Sequence, residues 1–300
     1  MRKTEWIGLT WGAEYPLVSV VGVDGKIIAQ HAGPVDLAYN TLSTLAEFLA
    51  PYLSLAHPTP VFCAGLPDMP VDLLRSVPAV PMDGTFQIEV ADPRLVLHVV
   101  PGLRQAKPAD LMSGCETAIA GMLLQDPKFD GVVCTVASHA RWSHVSAGEI
   151  VSFQSFLTPA LADTLVKNLP FSGCASQGPL DEAAFGQAVE DIMARPQNFA
   201  ANLAHISADA ALNGAANSAG WSRLMGALIG LELSGARPYW LGQNVVVLGD
   251  GILSDLYKAA LVGQGLQPQL ISRDAQLLAG LRSAWAHMEG DLMSRDLPDR

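Results

Sequence analysis

Runs of consecutive apolar residues mark the strands in the first half of this chain. They predict strands at Trp6–Gly12, Tyr15–Val21 and Lys26–His31, followed by Val61–Gly65 and Leu95–Val100. Strands that are apolar at nearly every position are buried on both faces, whereas half-exposed strands alternate apolar and polar residues. We therefore expect sheets that are covered by helices.

The same strand plan recurs in the second half. Val132–Val136, Arg141–Ser146 and Glu149–Phe156 repeat the three opening strands with short turns between them, and Asn244–Leu248 and Pro268–Ile271 follow. A β-hairpin with a third strand, present once in each half, predicts two lobes of related design. We place residues 1–118 in an N-terminal lobe and residues 119–300 in a C-terminal lobe.

Apolar residues at helical spacing predict helices between and after these strands, which gives an α/β fold. The predicted helices are Asp36–Leu53, Ser113–Gln125, Pro159–Leu169, Asp181–Arg195, Asn198–Leu212, Ser222–Gly235, Leu253–Leu261 and Asp274–Met288. Small residues in the sixth of these predict a close helix packing. The proline-rich stretch Pro67–Pro93 is expected to be irregular, and the polar tail after Glu289 to be frayed.

The charge balance restricts the class of partner. The chain carries 29 acidic and 18 basic residues, for a formal net charge of −11. Nucleic acid is a poor partner for such a chain, because neutralising phosphates needs clustered Lys and Arg. A small anionic ligand needs only a few placed donors, so we expect a small-molecule partner.

Cysteines and hydropathy indicate the compartment. Cys63, Cys115, Cys134 and Cys174 lie far apart without a C-x-x-C pair, so we predict buried thiols in a reducing cytoplasm, with metal ligation as the alternative. The N-terminus lacks the apolar run of a signal peptide, and no segment has the about 20 apolar residues of a membrane span. We expect a cytoplasmic protein with no membrane partner.

Three turns follow buried strands and could contact a nucleotide. In the third, Gly249-Asp250-Gly251, glycines let the backbone approach a ligand, and the next helix offers free N–H groups. Asp250 could accept a hydrogen bond from a ribose hydroxyl, or it could cap the helix. The chain has no G-x-G-x-x-G after its first strand, which argues against a dinucleotide-dependent dehydrogenase.

The second turn offers Ser138, His139 and Arg141 within four positions. Arg141 could bind phosphate or carboxylate oxygens with two parallel hydrogen bonds, or it could be a solvated residue at a hairpin end. His139 and His144 have no evident third ligand, so we predict no metal-binding set there.

The residues of the first turn are unfavourable for binding a phosphate group. Glu14 brings a negative charge, and Pro16 supplies no N–H group. Thr10, at the end of the first strand, could hold a metal-bound water but lacks the charge of a carboxylate.

The start of the helix at residue 113 has two interpretations. Ser113 followed three residues later by Glu116 is a capping box, and Glu116 is equally a candidate general base that would activate a substrate hydroxyl. Arg104 and Lys107, in the loop before it, could hold a substrate carboxylate, or they could be solvated.

Taken in order, these motifs resemble the 2-dehydro-3-deoxygalactonokinase family of the actin/hexokinase-like ATPase superfamily. The segments that carry the resemblance are Thr10-Trp11-Gly12, Cys63-Ala64-Gly65-Leu66, Val100-Pro101-Gly102-Leu103, Gly114-Cys115-Glu116-Thr117, Ala137-Ser138-His139-Ala140-Arg141-Trp142, Gly226-Ala227-Leu228-Ile229-Gly230-Leu231-Glu232 and Leu248-Gly249-Asp250-Gly251. They span almost the whole chain.

The resemblance implies a two-lobed actin/hexokinase-like (ribonuclease H-like) fold with a cleft between the lobes. It also implies transfer of the ATP γ-phosphate, with Mg²⁺, to the 6-hydroxyl of 2-dehydro-3-deoxygalactonate. Gly12 would belong to the first phosphate loop, Ser138, His139 and Arg141 to the second, and Gly249 and Gly251 to the nucleotide site. The resemblance leaves open whether the protein forms a homodimer.

The residues that depart from the family pattern stand at positions expected to contact the metal ion or the phosphates. Thr10 stands where the family has Asp, Ala13 and Glu14 replace small hydroxyl residues, and Leu17 stands in place of an Arg. Losing a carboxylate that positions a metal costs orders of magnitude in phosphoryl transfer. One interpretation is therefore a working kinase in which another carboxylate, Glu14, Glu116 or Asp250, holds the metal. The alternative is a catalytically impaired pseudokinase that binds a sugar acid or a protein partner.

Overall fold

The computed structural model describes residues 4–11, 16–33, 43–167, 175, 178–213 and 217–295. The chain folds into two compact units. One comprises Met1–Asp130 with Val145–Ser152 and Arg273–Arg300, and the other comprises Gly131–His144 with Phe153–Ser272. This division differs from the predicted lobes, because it assigns residues 119–130, 145–152 and 273–300 to the first unit.

The strands among the described residues are short and belong to three sheets. They are β1 (Thr4–Trp11), β2 (Pro16–Gly22), β3 (Ile27–Ala32), β4 (Thr59–Ala64), β5 (Arg75–Ser76), β6 (Phe86–Ile88), β7 (Leu95–Val99), β8 (Leu103–Ala106), β9 (Ala109–Met112), β10 (Gly131–Val136), β11 (Ala140–Ser146), β12 (Glu149–Phe156), β13 (Val245–Leu248) and β14 (Gln269–Ile271).

Helices alternate with groups of strands along the chain. They are α1 (Ser43–Leu49), α2 (Cys115–Gln125), α3 (Thr158–Lys167), α4 (Glu182–Ala194), α5 (Phe199–Asn213), α6 (Asn217–Gly235), α7 (Arg237–Trp240), α8 (Ile252–Gly263) and α9 (Arg273–Arg295). Within the described ranges, short 3₁₀ turns occur at Ala50–Tyr52, Val71–Leu73 and Pro196–Asn198. No helix in the described part of the chain is long and apolar enough to cross a membrane.

The two large sheets share one strand order. The first is ordered β3-β2-β1-β4-β7-β6 and the second β12-β11-β10-β13-β14. Strand β1 pairs antiparallel with β2 and parallel with β4, and β10 pairs parallel with β13. Numbered within its own sheet, the second has the order 3-2-1-4-5 and the first the order 3-2-1-4-6-5, so the two agree once the edge strand β6 is left out. The predicted α/β fold with mixed sheets flanked by helices is confirmed.

Each unit has its own apolar core. In the first, the buried faces of β1, β2, β4 and β7 pack with α1. In the second, β10, β11 and β13 pack with α4, α6 and α8, around the large buried side chains of Trp142, Trp240 and Tyr257. Cys63, Cys115 and Cys134 are buried thiols, as predicted, and Cys174 lies outside the described residues.

Two helix pairs pack closely through glycine. In the second unit, a Cβ at Gly226 of α6 would lie 2.4 Å from the Phe185 carbonyl oxygen of α4. This confirms the close packing predicted for that helix. In the first unit, a Cβ at Gly121 of α2 would lie 1.9 Å from the Gln276 carbonyl oxygen of α9. The latter contact holds the C-terminal helix in the first unit, which the sequence analysis did not foresee.

Several local predictions are wrong. The stretch Pro67–Pro93 contains β5 and β6, and the expected loop before residue 113 is the β8–β9 hairpin. These strands have only two to four residues, too few for a periodic apolar pattern. Helix α6 begins at Asn217 rather than Ser222, and α9 continues to Arg295, beyond the predicted end at Met288.

Candidate functional site

The first cluster of candidate residues lies where β1 and β4 end. These strands are parallel, and Thr10 pairs with Ala64 at their carboxyl ends. Gly65, which follows β4, lies against Gly114 and the carbonyl oxygen of Trp11. We call this region the first edge: Thr10, Trp11, Gly65 and residues 113–116 at the start of α2. Ligands of open α/β sheets bind beyond the carboxyl ends of their parallel strands.

Backbone geometry fixes the start of α2. The N-cap of this helix is Gly114, with φ of 92°, which has no side chain of its own to cap the helix. A Cβ at Gly114 would lie 3.2 Å from the Cα of Gly65. Both the positive φ and the close approach require glycine. The predicted N-cap at Ser113 is therefore wrong, because the helix begins one residue later.

Glu116 is fully buried at this helix start. Its Oε1 accepts hydrogen bonds from the Gly114 backbone N–H at 2.8 Å and from the Thr117 hydroxyl at 3.1 Å. One carboxylate oxygen thus does the structural work of a cap, by satisfying a backbone donor at the helix N-terminus. These contacts support the structural interpretation of Glu116, and its role as a general base stays a prediction.

Other polar groups of the first edge were not foreseen from the sequence. Trp11 Nε1 and Ser113 Oγ are buried, and neither has a hydrogen-bond partner among the described residues. Buried polar groups are nearly always paired, so such exceptions call for an explanation. The only sequence signal for them was their position within or beside two of the family-like motifs.

Arg75 was also missed by the sequence analysis. Its Nη1 donates to the Val80 carbonyl at 2.8 Å, and its Nη2 donates to the Pro81 carbonyl at 2.7 Å. Burial lowers the pKa of Arg75, while the negative charges of Glu116 and Asp83 act in the opposite direction. A guanidinium thus lies within electrostatic reach of the Glu116 carboxylate. No motif signalled it, because β5 has only two residues.

The two predicted substrate-binding cations lie on the β8–β9 hairpin. Arg104 Nε donates to the Ser76 hydroxyl at 3.1 Å, and its Nη1 donates to the Val71 carbonyl at 3.3 Å. Lys107 is exposed in the turn between the strands. Strand β9 ends at Met112, directly before residue 113, so the hairpin leads into the first edge. Gly12 of the predicted first phosphate loop, with Ala13 and Glu14, lies outside the described residues.

A second edge occurs in the other unit, where β10 and β13 end. Thr135 pairs with Leu248 in the parallel ladder, so the turn at residues 137–139 and the loop Gly249–Gly251 begin side by side. We call this region the second edge and include Arg141, on the strand that follows the turn. All six candidate nucleotide-binding residues outside Gly12 therefore lie at one end of one sheet.

The turn of the second edge is tight. The Ala137 N–H donates to the His139 carbonyl at 3.0 Å, and Ser138 Oγ lies 3.1 Å from His139 Nδ1. Ser138, His139 and Arg141 are partly exposed. The turn thus carries a hydroxyl and an imidazole, the next strand carries a guanidinium, and each of these groups can donate a hydrogen bond to an anion.

The adjoining loop leads into α8. A Cβ at Gly249 would lie 2.6 Å from Ser254 Cβ and 3.3 Å from Val136 Cβ, so only glycine fits between strand and helix. Gly251, with φ of 74°, is the N-cap of α8 and has no side-chain cap. Asp250 is exposed and is not the N-cap. The first backbone N–H groups of α8 give this edge the partial positive charge of a helix N-terminus.

Comparison of the amino-acid sequence with known proteins identifies the family of this chain. The model of the 2-keto-3-deoxy-galactonokinase family matches residues 11–284. A relative from Rhizobium meliloti (strain 1021), the probable 2-dehydro-3-deoxygalactonokinase DgoK1, is 26% identical, with 93% of this chain and 96% of the relative covered. The chain belongs to the 2-keto-3-deoxy-galactonokinase family.

A solved structure supports this assignment. The crystal structure of a putative 2-dehydro-3-deoxygalactonokinase protein from Sinorhizobium meliloti superposes with a TM-score of 0.82 at 26% identity, covering 94% of this chain and 99% of that one. The resemblance read from the sequence motifs is thereby confirmed, as is the actin/hexokinase-like fold class. The protein is a sugar kinase by family.

Membership of a kinase family gives the two edges a chemical context. Phosphoryl transfer needs donors around the phosphates and a group that orients the attacking hydroxyl. The second edge is rich in donors, and the first edge holds a buried carboxylate. Among the described residues, no three His, Cys, Asp or Glu side chains form a group that could hold a metal ion by themselves.

Proposed function

We propose that this protein transfers the γ-phosphate of ATP to the 6-hydroxyl of 2-dehydro-3-deoxygalactonate. The observation that supports this most strongly is Glu116, a fully buried carboxylate at the end of two parallel strands in a chain of this family. A carboxylate there can accept the proton of a substrate hydroxyl as that hydroxyl attacks phosphorus. Glu116 is the general base of this proposal.

The second edge would bind ATP. Ser138, the backbone N–H groups of the turn and Arg141 donate to phosphate oxygens, and the N-terminus of α8 adds its partial positive charge. Gly249 and Gly251 let the backbone approach the nucleotide. Asp250, which is exposed, would accept a hydrogen bond from a ribose hydroxyl or face the metal ion.

The β8–β9 hairpin would bind the acid end of the substrate. Arg104 is already held by Ser76 and by the Val71 carbonyl, which orients its guanidinium, whereas Lys107 is exposed at the tip of the hairpin. A carboxylate would be recognised through the fixed guanidinium, with Lys107 adding charge.

The residues also suit Mg²⁺, although differently from the family pattern. Mg²⁺ in such sites is bound by phosphate oxygens with only one or two carboxylates. Thr10 contributes no charge, so the carboxylate would be Asp250 at the second edge. When bound, the ion neutralises charge on the β- and γ-phosphates. Replacing Asp250 by Asn should weaken the dependence of ATP binding on Mg²⁺, measured by calorimetry.

The direct test is a kinase assay. Purified protein is incubated with ATP, Mg²⁺ and 2-dehydro-3-deoxygalactonate, ADP release is followed in a coupled assay, and the product is examined by ³¹P NMR. We expect ADP formation that requires the sugar acid, with the new phosphate ester coupled to the two protons at C6. A phosphate ester at another carbon would show that the 6-hydroxyl is not the site of phosphorylation. ADP formation without the sugar acid would show that the sugar acid is not the phosphate acceptor.

A second candidate function rests on Thr10. This residue pairs with Ala64 at the end of β1, and its hydroxyl cannot supply the charge of a metal-positioning carboxylate. A catalytically impaired protein that only binds a sugar acid or a protein partner would have this substitution. The variant Thr10→Asp separates the two. We expect a kcat change below about threefold, since the metal is held elsewhere, whereas a gain of about 10² or more would favour the impaired protein.

A further inference from the structure

Glu232 is a buried carboxylate that the proposed reaction does not use. It lies on α6, is 2% exposed and is surrounded by the apolar core of the second unit. Burial raises the pKa of Glu232, while hydrogen bonds from its neighbours oppose that shift. A carboxyl group in such a place is costly unless every oxygen is well paired.

Three side chains pair with this carboxylate, each from a different element. The Trp142 indole N–H of β11 donates to Oε1 at 2.8 Å, and the Tyr257 hydroxyl of α8 donates to Oε2 at 2.6 Å. The Thr158 side chain, at the start of α3, makes a further hydrogen bond. The indole can only donate, so the carboxylate has to accept there.

The first two partners lie just behind the second edge. Trp142 adjoins Arg141 and comes three residues after His139 of the turn. Tyr257 comes five residues after Ile252, where α8 begins. One carboxylate therefore links the strand that carries the turn to the helix that carries the glycine loop. Each link is short and buried.

We propose that Glu232 is a positioning residue, which fixes the turn at residues 137–139 and the loop Gly249–Gly251 in one geometry for ATP. Apolar packing alone is less directional, whereas a satisfied buried network specifies one arrangement of the elements it joins. Small misplacements of binding groups reduce rates strongly in enzymes, so such a link matters for catalysis. The inference rests on the proposed nucleotide site.

The chain offers a matched control. Trp142 is 0% exposed and Trp240 is 1% exposed, and both indoles lie in the same core. The Trp240 indole N–H donates to the Leu233 carbonyl at 2.7 Å instead of to Glu232. Trp142→Phe and Trp240→Phe therefore remove the same atoms and one hydrogen bond each. Only the first variant breaks the link to Glu232.

The kinetic test compares these variants with Tyr257→Phe, which removes a single oxygen. We expect Trp142→Phe and Tyr257→Phe to raise the KM for ATP about tenfold while the KM for the sugar acid changes less than about twofold. Trp240→Phe should lower Tm by a similar amount and leave the KM for ATP unchanged. Equal KM changes in both Trp variants would overturn the proposal, because KM would then follow stability alone.

A second measurement needs no ATP and keeps the two proposals distinguishable. Amide hydrogen exchange of the ligand-free protein should speed up at residues 137–141 and 249–254 in Trp142→Phe and Tyr257→Phe, but not in Trp240→Phe. Unchanged exchange there would overturn the positioning role. If the parent binds no ATP but the exchange pattern holds, the proposed function fails while Glu232 still fixes the two loops. Glu232→Gln, which keeps an acceptor for the indole, should restore slow exchange relative to Glu232→Ala.

Discussion

The first and second edges are equivalent positions on sheets of the same strand order, yet they carry opposite chemistry. The second edge combines Ser138, His139 and Arg141 with the N-terminus of α8. The first edge presents the neutral Thr10 and the buried carboxylate of Glu116 at the N-terminus of α2. In the proposed function, the second edge supplies donors for phosphate and the first edge supplies a proton acceptor for a hydroxyl. A shared scaffold therefore fixes where a site lies, and the side chains decide its role.

The largest effect should come from the proton acceptor of the first edge. Glu116→Gln keeps an oxygen that can accept from the Gly114 N–H and the Thr117 hydroxyl, so the helix start should survive. We expect kcat to fall by about 10²–10⁴ because the general base is lost, with a small change in Tm. Steady-state kinetics and thermal unfolding measure both. Glu47→Gln, at an exposed position of α1, is the control, and a kcat within threefold of the parent would remove Glu116 from catalysis.

The second edge should respond through nucleotide affinity. Gly249→Ala places a Cβ 2.6 Å from Ser254 Cβ, so the loop has to move away from its position beside β10. We expect the KM for ATP to rise about tenfold or more, while the KM for the sugar acid stays the same. Gly263→Ala, at the other end of α8, has nothing within 4 Å of the new Cβ and should leave both values unchanged. If the sugar-acid KM rises instead, the two edges have been assigned the wrong way round.

The helix packing behind the two edges can be compared by stability. Gly121→Ala forces a Cβ to within 1.9 Å of the Gln276 carbonyl, and Gly226→Ala forces one to within 2.4 Å of the Phe185 carbonyl. Each should lower the free energy of unfolding by about 2 kcal/mol or more, since backbone atoms cannot yield as side chains do. Gly186→Ala, a helical position with nothing within 4 Å, should instead stabilise by about 0.5 kcal/mol. Denaturant unfolding is the measurement, and equal stability of all three variants would contradict the close packing.

The smallest effect should come from Lys107. This residue is exposed in the turn of the β8–β9 hairpin, where its charge is screened by solvent. Lys107→Met should raise the KM for the sugar acid about twofold to threefold and leave kcat and the KM for ATP unchanged. Arg104→Met should raise the same KM further, because its guanidinium is oriented by Ser76 and by the Val71 carbonyl. An effect of Lys107 larger than that of Arg104 would reverse these roles.

The strand plan could be predicted because it depends on long buried apolar runs. The segments Val132–Val136 and Val61–Gly65, for example, are apolar at nearly every position, and both are buried strands. The glycine loop before α8 was recognised for the same reason, since it follows such a strand directly. These features are local, and local sequence is sufficient to find them.

The rest of the site depends on contacts between distant residues. Arg75 and the β8–β9 hairpin belong to a small sheet whose strands are too short to leave a pattern. The helix start at Gly114 is set by its contact with Gly65, which lies 49 positions earlier in the chain. The three partners of Glu232 come from β11, α3 and α8, so no spacing in the sequence marks them.

The most direct test of the contrast between the edges is calorimetric titration of the purified protein with ATP, with and without Mg²⁺, and then with the sugar acid. We expect magnesium-dependent ATP binding in the micromolar to low-millimolar range, which Gly249→Ala weakens and Glu116→Gln leaves unchanged. Such a result would place the nucleotide at the second edge. Absence of ATP binding in the parent, or loss of ATP binding in Glu116→Gln alone, would contradict the account.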